Sequence, residues 1–309
     1  MAIYLSLRGR DRLFNWGLSH TEVFPAASFK GYIMGGYTTE VTNIIDDLIF
    51  SNETSQAIVA TLDAAKYQGS GVNSSTKGYI MGGSTGSVVD VIEDLIFFNE
   101  TSQVIVATLD TAKYYGTGVN SSTKGYTMGG IASVTIDDLI FSDETSQAIA
   151  ATLDAAKSEA TGVNSSTKGY IMGGYTTVAT NVIEDLIFSD ETSQAIVATL
   201  DAAKYGESGV NSSTKGYIMG GYSTERIAVI EDLIFSNETS QAIAATLDTA
   251  KTNGVGVNSS TKGYIMGGYT GVVIAVIEDL IFSNETSQAI AATLDTAKAH
   301  GTGVQYGCP

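Results

Sequence analysis

Adjacent carboxylates recur along this chain at Asp46-Asp47, Glu93-Asp94, Asp137-Asp138, Glu184-Asp185, Glu231-Asp232 and Glu278-Asp279. Paired carboxyl groups do general acid/base work when both converge on one substrate. Neighbours on a strand point to opposite faces, so these doublets cannot act together. Each is expected to be a scaffold contact or a solvated edge. A second charged set, Asp63 with Lys66, has five further copies ending at Asp295 and Lys298. An active site seldom needs six identical copies, so this set is expected to form a salt bridge between units, worth little if exposed. His20 and His300 are the only histidines and Cys308 the only cysteine, which leaves no His/Cys metal cluster, no Cys/His pair and no internal disulfide. No Asp-x-Asp-x-Asp-Gly calcium loop occurs, and the glycine pairs close strands instead of opening phosphate-binding helices. The expectation is a non-enzyme without metal or cofactor.

The element that positions these residues is a repeat. Lys-Gly-Tyr-x-Met-Gly-Gly begins at Lys30, Lys77, Lys124, Lys168, Lys215 and Lys262, at spacings of 47, 47, 44, 47 and 47 residues. A period of that size with short strands and paired glycines predicts β-propeller blades. Within the first unit, Gly31 to Gly35 reads as a strand, Ile44 to Phe50 as a second, Ala57 to Leu62 as a third, and Gly69 to Val72 as the last. Helix is disfavoured, because each copy would carry three glycines at about 1 kcal/mol apiece. A Gly-x-Gly-Val strand or a variant of it, with Ala160 for the first glycine in one copy, ends at Val72, Val119, Val163, Val210 and Val257. A further copy, Gly301 to Val304, follows the last unit, whereas the first unit has none before it. The C-terminal strand is therefore expected to complete blade one and to remove the open edge.

In its 309 residues the chain has 43% hydrophobic content, 34 glycines, two prolines and a net charge of -17. That composition supports a large core with many tight turns, and the charge argues against nucleic acid or anionic lipid as partners. The opening residues lack a basic segment followed by a long apolar run. No signal peptide and no membrane span are expected. The Asn-x-Ser/Thr triplets at Asn52, Asn73 and Asn99 read as turn chemistry. Residues 1–29 differ from the repeat and hold Trp16, His20, Pro25 and three of the four arginines. Ile3, Leu5 and Leu7 alternate with polar neighbours, and with Trp16 they form an expected docking or assembly arm through which chains could pair. A strand packed across its own propeller is the alternative. The expected domains are the arm at 1–29, the propeller at 30–304 and a tail at 305–309.

The layout resembles the kelch repeat. Lys66 stands where kelch opens with a basic residue, Gly-x-Gly-Val follows, Tyr79-Ile-Met-Gly-Gly83 matches the strand ending in two glycines, and Phe97 takes the place of the kelch tyrosine before the Asn99-Glu-Thr101 hairpin. The resemblance covers about residues 30 to 304 and implies an all-β, six-bladed propeller of four-stranded antiparallel blades. Ala57, Val104, Ala148, Ala195, Ala242 and Ala289 replace the kelch tryptophan, so other residues must pack the blades. The cysteine and histidines of kelch-fold copper oxidases are missing from the blades. Repeats this uniform are also similar to those of structural and adhesive proteins of tailed phages and aquatic bacteria.

Comparing the six units separates a constant scaffold from two variable patches. One follows the double glycine and contains the three-residue deletion of the 44-residue unit; the other follows the blade-opening lysine. In a four-stranded meander both connections lie at one end, so the patches share a face. Tyr37, Tyr67, Tyr114, Tyr115, Tyr205, Tyr222, Glu225, Arg226 and His300 are the expected contacts, since tyrosine offers large area with few rotors. Drift in unconstrained loops is the competing explanation. The opposite face repeats Asn-Ser-Ser-Thr and Asn/Asp-Glu-Thr-Ser-Gln, which either form turns or offer six weak glycan sites. The functional expectation is a binding or structural module on a virion or surface appendage, otherwise cytoplasmic, that meets a receptor or subunit. The alternative is a lectin-like propeller.

Overall fold

Lys-Gly-Tyr-Ile-Met is apolar on both faces, and a strand of that kind is stable only where both faces are covered. In the computed structural model, which describes residues 29–306, neighbouring blades supply the cover. Among the described residues the strands number twenty-four, in six antiparallel sheets of four. Blade 2 shows the plan: β4 (Ser70–Asn73), β5 (Lys77–Met81), β6 (Val91–Ile96) and β7 (Thr101–Thr108) run outward in order. Blade 1 consists of β1 (Lys30–Tyr37), β2 (Val41–Ile49), β3 (Thr54–Thr61) and, on its inner edge, β24 (Thr302–Tyr306). Pairing of Tyr32 with Val304 thus closes the ring as expected, with the strand running on to Tyr306. The expected arm residues Ile3, Leu5, Leu7 and Trp16 lie outside the described residues.

Burial peaks in the two middle strands of each blade. Those of blade 2 are almost wholly buried, its inner strand alternates between buried and half-buried positions, and its outer strand is mostly exposed with Ile105 buried. The core is six seams between blades: Val72, Tyr79, Met81 and Ile92 of blade 2 pack with Leu139 and Phe141 of blade 3. Phenylalanine does the work of the missing tryptophan, because Phe97, Phe141, Phe188, Phe235, Phe282 and Phe50 each lie parallel to the tyrosine of the preceding blade, at centroid distances of 5.4 to 5.6 Å. At the axis the inner strands touch backbone to backbone. A Cβ on Gly118 would stand 2.0 Å from the Gly71 carbonyl oxygen, which makes glycine obligatory there.

The charged repeat needs correction in one respect. Lys66 does bridge blades, but its partner is Glu93 of blade 2, at 2.9 Å, and not Asp63. Asp63 contributes its backbone N–H, which donates to Glu93 Oε1 at 2.6 Å. The same pairing joins Lys113 to Asp137, Lys157 to Glu184, Lys204 to Glu231, Lys251 to Glu278 and Lys298 to Asp46. These groups are buried, and so are the doublets, which are scaffold contacts and not solvated edges. Opposite orientation within each doublet holds: Asp94, beside Glu93, turns to Lys77 at 2.7 Å.

The constant hairpins are also struts. Glu144 of blade 3 accepts from Lys77 Nζ at 2.6 Å and from the Tyr79 hydroxyl at 3.1 Å. Glu53, Glu100, Glu144, Glu191, Glu238 and Glu285 all adopt φ between 51 and 54°, a region that costs a non-glycine residue about 1 kcal/mol or more. The interblade contacts compensate for that cost. Burial and the glutamate charge together push the Tyr79 phenol well above its ordinary range.

Candidate functional site

Each link from an outer strand to the next inner strand is held at its buried lysine. The residue after that lysine bridges the residue after the next double glycine: Tyr67 to Ser84, Ser158 to Tyr175, Tyr205 to Tyr222, Thr252 to Tyr269 and Ala299 to Tyr37. In blade 3 the Ile131 N–H donates to the Tyr114 carbonyl at 3.3 Å. The two variable patches therefore adjoin on one face.

One residue further, all six links turn through the left-handed region, with Gln68, Tyr115, Glu159, Gly206, Asn253 and His300 at φ of 51 to 68°. These residues form a chain of backbone hydrogen bonds around the mouth of the axial channel. Tyr115 N–H donates to Gln68, Gln68 to His300, His300 to Asn253, Asn253 to Gly206 and Gly206 to Glu159, at 2.7 to 2.9 Å. Six equivalent backbone positions thus carry six different residue types. Glycine favours the conformation intrinsically and asparagine and histidine adopt it more readily than most, so Gln68, Tyr115 and Glu159 are the residues held there by the ring.

The side chains form two aromatic groups. In the first, Tyr37 lies 6.3 Å from Tyr67, Tyr67 is 6.5 Å and Tyr115 6.2 Å from His300, and Tyr114 is 5.1 Å from Tyr115. In the second, Tyr205 lies 5.4 Å from both Tyr175 and Tyr222. Arg226 sits over the Tyr269 ring at 4.7 Å, while Glu225 stands at an exposed loop tip. Eight of the nine expected contacts are thus held in aromatic groupings, and Glu225 is apart from them.

Electrostatics at the mouth are set by burial. His300 is lowered to about 4, so at neutral pH it is uncharged and its Nδ1 accepts from Gln68 Nε2 at 3.2 Å. Burial also raises the Glu159 carboxyl, and burial, with the Glu159 charge adding to it, raises the phenols of Tyr115 and Tyr205. Beneath the ring, burial pushes Glu207 to about 8. Glu207 replaces the first glycine of the inner-strand motif, which stands as Gly69, Gly116, Gly254 and Gly301 in other blades. Neither of its carboxyl oxygens has a hydrogen-bond partner among the described residues.

Sequence comparison placed Gln68, Glu159, Asn253, Tyr175 and Tyr269 in the variable patches without selecting them, and passed over Glu207. The available signal was the second residue after each blade-opening lysine, together with the break in the glycine pattern at Glu207.

The channel below the mouth is narrow, about 190 Å³, and is lined by inner-strand glycines and by Asn73, Asn120, Asn164, Asn211, Asn258 and Gln305. On the constant face, open clefts lie between blades. That between blades 5 and 6 has about 670 Å³ and is lined by Ser213, Thr214, Lys215, Phe282, Asn284 and Glu285; another, between blades 6 and 1, has about 480 Å³. Lys215 and Tyr217 at the first cleft are already bonded to Glu285. No group of three His, Cys, Asp or Glu residues suited to a metal occurs among the described residues, and no helix among them is long and apolar enough to cross a membrane.

No family model and no curated protein matches the sequence. Among solved structures 427 chains match, so the fold is widely shared. One, described as "Structure of YjhT", superposes with a TM-score of 0.71 at 12% identity, over 84% of this chain and 94% of that one. Likeness at that identity shows the β-propeller fold alone.

Proposed function

We propose that this chain is a non-enzymatic binding and structural module that captures a protein partner through the mouth of its variable face. The observation carrying this reading is the ring of Gln68, Tyr115, Glu159, Gly206, Asn253 and His300: one backbone geometry, six different side chains, in a protein whose scaffold residues scarcely vary. Strained non-glycine residues beside clustered tyrosines suit a recognition surface. The kelch-like, highly uniform repeats agree with a component of a virion or surface appendage that meets a receptor or neighbouring subunit. An arm at residues 1–29 would serve assembly.

A random-peptide library selected on the full-length protein tests the reading. Enriched peptides are expected to lose affinity for Tyr205→Ala and Tyr115→Ala and to keep it for Thr214→Ala on the opposite face. Enrichment indifferent to the tyrosine changes would refute it. Light scattering of the full chain beside one lacking residues 1–29 tests the assembly arm.

The interblade clefts favour a second reading, a lectin-like surface with repeated weak sites. It ranks lower because the lysine, tyrosine and glutamate at the clefts are bonded to one another. A glycan array read with wild type and Thr214→Ala separates the two readings.

A further inference from the structure

Each blade ends in an outer strand that pairs on one side only, so the ring presents sheet edges around its circumference. Such an edge carries a row of unpaired backbone N–H and C=O groups, and proteins blunt it with charge, proline or a covering group. In blades 5 and 6 an aspartate of the preceding blade covers one edge position: Asp201 accepts from the Ala242 N–H at 3.2 Å, and Asp248 from the Ala289 N–H at 2.9 Å. The corresponding residues at blade 2 are Asp63 and Val104, and no such bond joins them among the described residues.

The outer strand of blade 2, β7, also differs in sequence. Its eight residues, Thr101-Ser-Gln-Val-Ile-Val-Ala-Thr108, contain no charge and no proline. Position 104 is alanine in the other five blades, and Phe98, in the hairpin leading to β7, stands where they have serine. Both changes are to larger apolar residues, and both side chains are exposed, Phe98 at 81% and Val104 at 45%. Val106 shares a side of the strand with Val104 and is fully exposed, while Ile105 turns inward and is buried. In a scaffold that scarcely varies, exposed apolar replacements beside a bare edge mark a contact surface.

The identity of the occupant follows from charge and symmetry. A chain of net charge -17 repels its own copies, so two of them meet most readily across an uncharged stretch. The carboxylates around β7 are neutralised within the ring: Glu93 by Lys66, Asp94 by Lys77 and Glu100 by Lys30. β7 is also self-complementary, because antiparallel pairing with the same strand brings the Val104 and Val106 side chains of one copy against those of the other and covers both edges at once. The register shift against β6 beyond Val104 occurs in every blade and does not single out this one. An eight-residue edge is only about 27 Å long, which suits a small, reversible interface.

We infer that a second copy of this chain docks on β7, edge to edge and antiparallel, with Phe98, Val104 and Val106 as its apolar contacts. This surface is separate from the variable face and does not depend on what that face binds.

Sedimentation velocity of the full-length protein over a hundredfold range of concentration tests the inference, beside hydrogen exchange of Thr101–Thr108, a segment that Val104 distinguishes by mass from the other outer strands. Wild type is expected to pass reversibly from monomer to dimer as concentration rises. Exchange of Thr101–Thr108 is expected to slow in parallel, and that of Thr239–Thr246 in blade 5 to stay constant. The double change Phe98→Ser with Val104→Ala restores the residues of the other blades, so it should keep the fold while weakening association at least tenfold. Val106→Lys should weaken it as much by placing charge on the edge. A wild type that stays monomeric throughout, association unchanged in the double variant, or association without slowed exchange in Thr101–Thr108 would each overturn the inference.

Discussion

Lys262 Nζ lies 2.5 Å from Glu53 Oε1, across 209 residues of chain. The Tyr264 hydroxyl donates to the same oxygen at 3.1 Å. This is the strut found at every other seam, formed here between the last blade and the first, so charge closes the ring as well as strand β24 does. Glu53→Ala is expected to lower stability by about 1–3 kcal/mol, since Lys262 loses one of two carboxylate partners. Glu53→Gly should recover part of that loss by relieving the left-handed backbone. Urea unfolding of the three proteins checks both expectations.

The buried pair Lys204–Glu231 predicts an asymmetry. Lys204→Met leaves Glu231 buried without its cation and should destabilise by about 3–5 kcal/mol. The double change Lys204→Met with Glu231→Leu is expected to regain most of the loss. Chemical denaturation of the single and double variants measures the coupling.

At the axis, Gly118→Ala requires the inner strands to separate, because the new methyl would fall 2.0 Å from the Gly71 oxygen. A loss of at least about 1–3 kcal/mol is expected, visible as a lower unfolding midpoint.

Two mouth residues give stability opposite dependences on pH. Glu207 has its carboxyl raised from 4.5 to about 8 by burial, with the Glu231 and Glu159 charges adding to the effect and Lys204 opposing it. Between those values the unfolded chain has released the proton that the native protein keeps. Stability therefore falls as pH rises from about 4.5 to 8, by at most ~1.4 kcal/mol per pH unit, and the penalty is complete above 8. Glu207→Gly should abolish this slope and stabilise the protein at pH 8.

His300 is lowered from 6.5 to about 4 by burial. Here the unfolded chain takes up a proton that the native protein refuses, so its stabilising contribution is complete above pH 6.5 and is lost as pH falls toward 4. His300→Gln should remove that dependence. Unfolding curves across pH 4 to 9, with NMR titration of His300, resolve the two contributions.

Much of the architecture was legible because a repeat states its own period. Lys-Gly-Tyr-x-Met-Gly-Gly marked six blades, and the surplus strand ending at Val304 announced how the ring closes. The meander by itself puts both variable patches on one face, since strand direction alone decides that.

Tertiary structure decided which charges meet. Asp63 and Lys66 are near neighbours in sequence, yet Lys66 reaches Glu93 in the next blade, and the hairpin glutamate that reads as turn chemistry reaches back to the preceding one. The mouth ring was likewise hidden, because Gln68 and His300 are adjacent only after the ring has closed. The physical reason is common to all three cases. Local sequence sets strand, turn and facing direction, whereas partners across a seam are set by how tightly glycine lets neighbouring blades approach.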